Sequence, residues 1–194
     1  MVVVAILGLL ASVAIPAMTA YTRRTKTAEA RIQLAKMFDA ASAFYVAEHV
    51  DRGDVDTIGA GASIGGATHR CPYPSDTPAG GEAGETPSIN CNLGPGGRCV
   101  PAVSPAGAGY YDIAEWNDNA VWSSMHFVME QAHFFHYNFV STNDLLGYGS
   151  CTFTSQAFAD LDNDGTYSTF ERGGAADVNG INAAAGLYID GIIE

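Results

Sequence analysis

The chain has 194 residues and a net charge of −12, with nine Lys+Arg against 21 Asp+Glu. That length holds one globular domain of ordinary size and one long helix beside it. The acidity argues against nucleic acid as a specific ligand, because such binding rests on cations that neutralise phosphates.

The first element is a helix. MVVVAILGLLASVAIPAMTA, residues 1–20, carries no charge, and its only hydroxyls are Ser12 and Thr19. Coiled as a helix, it is about long enough to cross the ~30 Å apolar core of a bilayer. A secretory signal would open with Lys or Arg and close at a small-residue cleavage site. This run has no such cation, and YTRRTKTAEARIQLAKMFDAASAFYVAEH behind it keeps helical periodicity without a linker. A plain single-span anchor leaves Pro16 unexplained. An interior proline removes a backbone hydrogen bond at a cost of about 3 kcal/mol, and in a membrane the freed carbonyl groups must be satisfied by neighbours or local rearrangement.

Five cations follow: Arg23, Arg24, Lys26, Arg31 and Lys36. Against Glu29 alone they give residues 21–36 a charge of +4, which leaves −16 for the rest of the chain. As a membrane-flanking cluster, this collar would sit on the cytoplasmic side by the positive-inside rule. Further along, Leu34, Phe38, Ala41 and Tyr45 recur at helical spacing and mark the face that packs on the head. Ala28, Ala35, Ala40 and Ala43 leave room for close approach. The helix is expected to stop near Asp51-Arg52-Gly53, where glycine supplies the end.

The apolar run, Gly8, the Ala14-Ile15-Pro16 step, Tyr21 and the basic, Ala-rich helix behind them resemble the N-terminal helix of type IV pilins and of their secretion-system relatives, the pseudopilins. In that family the mature chain begins with an aromatic residue and a short stretch holding a Glu, ahead of the Met-Val-Val run. This chain starts at Met1 inside the run, so the leader, the methylated first residue and the Glu are expected upstream. The resemblance gives Gly8, Pro16, Arg23, Arg24 and Lys26 a role in assembly. It implies apolar segments that lie first in the inner membrane and then bundle into the core of an extracellular filament of identical subunits. Extraction from the membrane needs machinery supplied by other proteins. The head then lies on the collar's side of the membrane, against the positive-inside bias, and the collar is expected to meet acidic heads of neighbouring subunits. The implied function is that of a structural subunit of a type IV pilus. A pseudopilin of a type II secretion system is the alternative within the family, and a membrane-tethered extracytoplasmic binding module is the alternative outside it.

Residues 53–109 change character, with Gly, Pro, Ser and Thr dominating. Such composition resists packing, but Cys71, Cys91 and Cys99 lie within it and argue for a stapled loop region. In an exported chain an even number of cysteines implies disulfides, and four allow three pairings. Cys91–Cys99 round the Gly-Pro-Gly-Gly turn, with Cys71–Cys151, is the preferred set. No CxxC pair occurs, which argues against zinc.

After Tyr110, the runs WNDNAVWSSMHFVME, HFFHYNFVS, CTFTSQAFAD, TYSTFERGG and AGLYIDGIIE read as strands of an antiparallel meander. The expected fold is α+β: a long N-terminal helix packed on an antiparallel sheet, with a disulfide-stapled loop region between them. Its segments are 1–24 (apolar helix), 25–52 (helix packing on the head), 53–109 (loop region) and 110–194 (sheet).

Two features invite a chemical reading. His133 and His136 are three apart, which on a strand puts them on opposite faces, and His49, His69 and His126 have no ligand spacing; core or surface roles are expected for all five. Asp160-Leu-Asp-Asn-Asp-Gly-Thr-Tyr-Ser-Thr-Phe-Glu171 matches a calcium loop, with Asp160, Asp162 and Asp164 as ligands and Gly165 at the turn. Thr166 would offer a carbonyl, Ser168 a water-bridged position and Glu171 a bidentate carboxylate. The competing reading is a plain hairpin around Asn163-Asp164-Gly165, which the flanking strands favour because it needs no ion. No other cofactor is expected. No nucleophile elbow, P-loop, HExxH or dinucleotide fingerprint occurs, so no enzymatic activity is expected.

Overall fold

The computed structural model describes residues 2–47, 81–143, 151–177 and 180–192. Helix α1 runs from Val2 to Val46. Behind it come β1 (Gly81–Glu82), a 3₁₀ turn (Cys91–Leu93), β2 (Val100–Ala102), β3 (Tyr110–Asp112), α2 (Ala114–Asn117) and α3 (Ala120–Met125). The chain closes with β4 (His136–Asn143), β5 (Cys151–Ala159), β6 (Ser168–Asp177), β7 (Gly180–Ala183) and β8 (Tyr188–Asp190).

The main sheet is antiparallel in the order β1-β4-β5-β6-β7, and β8 pairs with β6 on the same edge as β7. Strand alternation decides which side faces the helix. In β5, Cys151, Phe153, Ser155, Ala157 and Ala159 are buried while the residues between them are more exposed. Register then places Phe139 beside Ser155, Tyr137 beside Ala157 and Phe170 beside Ala157 on the same inner face. From α1, Thr27, Ala30, Leu34, Met37, Phe38, Ala41 and Tyr45 complete the core. The expected stripe is therefore the contact face, and the α+β fold is the one observed. Gly174 shows how tightly the layers meet: a Cβ there would stand 2.5 Å from Phe153 Cζ and 2.8 Å from Phe38 Cε2.

Several local expectations change. The run WNDNAVWSSMHFVME forms no strand. Asn119 caps α3 by accepting from the amides of Val121 and Trp122, and His126 closes it in the left-handed region with φ 52°. Trp116, Trp122 and Phe127 then meet Tyr137 in one aromatic cluster of tilted and edge-on rings. Capping by Asn119 and the burial of Val121, Trp122 and Met125 along the helix outweigh the strand propensity of the individual residues. The sheet also draws β1 from the expected loop region, and β2 and β3 pair in parallel outside it. Helix α1 ends at Val46, before the expected stop, and Asp51–Gly53 lie outside the described residues. Ala28 and Ala43 are exposed, Ala35 is half-buried and Ala40 packs against the core, while Ala30 and Ala41 are the fully buried alanines of the contact face.

Candidate functional site

Helix α1 has two unlike halves. In the first, Val2, Leu9, Val13 and Met18 are 68–72% exposed, and none of the apolar window is buried against the head. Each such large side chain gains about 1.5–3 kcal/mol when taken out of water, so covering this half is strongly favourable. Gly8 has open space around its Cα, and the helix passes Pro16 without a break. Thr19 Oγ1 donates to the Pro16 carbonyl at 2.9 Å.

The collar is where the bare half meets the head, and it splits in use. Arg23 Nη1 lies 2.8 Å from Asp162 Oδ2. Lys26 Nζ sits 4.5 Å from the centre of the Phe134 ring; burial and the nearby Arg23 and Arg98 pull its pKa down. Both cations thus make contacts within their own chain. Arg24 and Arg31 stay exposed, bordering a shallow groove with Thr27, Ala28 and Ile192.

Glu29 is the fastening that sequence reading missed. Its Oε1 accepts from Phe134 N at 3.0 Å, Phe135 N at 3.4 Å and Tyr137 Oη at 3.0 Å. Burial raises its pKa in spite of these donors. The available signal was its isolation: it is the sole acid among the collar cations.

The acidic loop joins β5 to β6, where Ala159 pairs with Ser168. Asp160 organises it. Its Oδ1 accepts from Asn163 N at 2.6 Å and Asp164 N at 3.2 Å, and its Oδ2 from Gly165 N at 3.0 Å. Asp164 Oδ1 accepts from Thr166 N at 2.7 Å. Asn163 (φ 63°) and Gly165 (φ 91°) supply the left-handed residues of the turn. The carboxylates of Asp160, Asp162 and Asp164 do converge, with ligand atoms within 4.8 Å of one another, and Asp162 Oδ1 is buried without a partner.

Glu171 does not join them. It stands in β6 opposite Gln156, whose Nε2 donates to its Oε1 at 2.7 Å, and Ser168 is buried at the strand start. A calcium shell takes roughly six to eight oxygens, with a bidentate Glu closing the loop. Here Asp160 is committed to backbone amides, Asp162 Oδ2 to Arg23 and Glu171 to Gln156. Glu171 therefore stands apart from the cluster of Asp160, Asp162 and Asp164, and the Arg23 guanidinium meets that cluster through Asp162.

No family model, curated protein or solved structure matches this chain.

A long apolar N-terminal helix packed on an antiparallel sheet is compatible with pilin-like architecture, and the loop staple agrees with it. Cys91 and Cys99 are bridged, with Cα atoms 4.3 Å apart. Cys151 is also disulfide-bonded, while Cys71 lies outside the described residues, as do His49 and His69. His136 is buried, its Nδ1 2.9 Å from the Pro87 carbonyl oxygen. His133 precedes β4 rather than lying in it, so the strand argument about opposite faces does not apply to the pair.

Proposed function

We propose that the chain is a structural subunit of a type IV pilus, which polymerises through the apolar half of α1 into an extracellular helical filament. The observation that carries this reading is the bare apolar half-helix, continuous with the half that packs on a folded head. Lipid covers such a surface before assembly, and identical segments of neighbouring subunits cover it afterwards. The inner membrane is then the starting compartment, and assembly machinery in that membrane performs the extraction. Gly8 and Pro16 are the positions where the helix is easiest to stretch on bundling. Arg24 and Arg31, exposed on the collar, are left to meet acidic surfaces of neighbouring heads.

Electron microscopy of cells with and without the gene tests the reading. Filaments that vanish with the gene, and whose reconstruction shows lost helical hydrogen bonding around residues 8–16, support it. A protein that stays monomeric in native membranes, with no fibres, overturns it and favours a tethered binding module.

A further inference from the structure

Within the collar, Arg23 meets Asp162 and Lys26 meets the Phe134 ring, whereas Arg24 and Arg31 are exposed and meet no acid among the described residues. Seven positions apart, or two helical turns, they stand on one face of α1. Thr27 and Ala28 lie between them on that face, and with Ile192 these four line a groove of about 220 Å³. The groove thus combines two guanidinium groups with small or apolar neighbours, and no carboxylate lines it. Two cations brought this close repel each other, and an anion between them relieves the repulsion.

Position along α1 says which anion. The charge-free run ends at Ala20 and the helix continues unbroken. At 1.5 Å per residue, Arg24 stands about 6 Å beyond the run and Arg31 about 16 Å beyond it. A polar headgroup layer is about 5–8 Å deep on each side of the apolar core, so Arg24 lies at its level. Helical side chains lean towards the N-terminus, which here is the membrane side, and the long arginine stem carries the Arg31 charge back towards that layer. A phosphodiester offers free oxygens that the paired N–H donors of a guanidinium match. Ala28 and Ile192 suit the glycerol end of a lipid, which a free phosphate lacks. The −16 carried by the rest of the chain acts weakly here, because charges more than about 8 Å away are screened at physiological salt.

We propose that Arg24 and Arg31 bind the headgroup phosphate of an anionic phospholipid while the chain resides in the membrane. This rests on the reading of the apolar half as a span and names its partner there. The lipid fixes the depth at which α1 sits, with the head held just above the surface. On assembly the phosphate gives way to carboxylates of neighbouring heads, so the same two arginines are satisfied before and after extraction. An anionic lipid is preferred over a zwitterionic one because no headgroup cation competes with the guanidinium groups for the phosphate.

The test reconstitutes the full chain, at high dilution, in phosphatidylcholine vesicles holding a trace of spin-labelled phosphatidylglycerol or spin-labelled phosphatidylcholine. Electron paramagnetic resonance then reads how much of each label is immobilised beside the protein. Phosphatidylglycerol should be favoured about fivefold or more, the ratio that one cation near an anionic surface supplies. Arg24→Gln/Arg31→Gln should bring the ratio close to one while the immobilised phosphatidylcholine, which reports the span, stays unchanged. Lys36→Gln, which removes an exposed collar cation outside the groove, should keep the preference, and millimolar inorganic phosphate should not abolish it. Equal immobilisation of both labels by the parent overturns the lipid site alone and leaves acidic heads as the partner of these arginines. A preference that survives in the double variant, falls as far with Lys36→Gln, or is lost to inorganic phosphate also overturns it. A chain that immobilises neither label fails to span, and the membrane reading falls with the site.

Discussion

Glu29 is one carboxylate oxygen facing three donors from a single stretch of the head. Burial still dominates and raises its pKa above the ordinary value. The sign of the resulting pH dependence follows by linkage. Below the unfolded pKa both states hold the proton; as pH rises the unfolded chain loses it first, so this group's contribution to stability falls until the folded pKa is passed. Glu29→Gln removes that slope. Subtracting the variant's melting temperatures from those of the parent across the acid range should therefore give a difference that declines with pH; a flat difference would sink the idea. Gly174 is a steric case. Gly174→Ala drives a methyl into Phe153 and Phe38, and overpacking of this kind costs about 1–3 kcal/mol. Denaturant unfolding should show the midpoint falling, and an unchanged midpoint would mean that the aromatic pair moves aside freely.

At the scale of elements, the acidic loop and α1 are joined at Arg23 and Asp162, whose side chains are 33% and 17% exposed. Partial exposure screens the pair, so a double-mutant cycle with Arg23→Gln and Asp162→Asn should give a coupling of about 0.5–1 kcal/mol. Calcium makes an opposing prediction. Were it the loop's counter-ion, added calcium would raise the melting temperature steadily, following the binding isotherm. With Arg23 in that role, a chelator should leave the melting temperature unchanged while Asp162→Asn lowers it. One thermal scan with and without chelator separates the two.

For the whole molecule, the division of α1 predicts separable behaviour. The contacts with the head begin around Arg23 and Thr27, so removing residues 1–20 should give a soluble, folded, monomeric head, while the parent chain needs detergent or self-associates. Size-exclusion chromatography with light scattering checks this, and a truncated head that still aggregates would place the association surface elsewhere. Among the described residues no cysteine is free. Alkylation without reduction should accordingly label none of the four, as read by intact mass; labelling of two or more would remove the staple from the fold.

Much of this protein can be read from local pattern. A charge-free run of twenty residues, the stripe Leu34, Phe38, Ala41 and Tyr45, and alternation in CTFTSQAFA each depend on the period of one element, and period is a property of the chain itself. Those patterns determined a half-bare helix, its contact face and an antiparallel sheet. The partners of individual polar groups were decided only by tertiary structure. Asp162 meets Arg23 across 139 positions, and Glu29 meets Tyr137 across 108. His133 reaches the Cys91–Cys99 pair through a bridge between segments that no spacing rule connects. The calcium-like string shows the same limit: Asp160 to Glu171 has the right order of oxygens, but strand pairing turns Glu171 towards Gln156. A hydrogen bond or ion pair acts over a few ångströms in space, and only the folded backbone determines which side chains are brought that close.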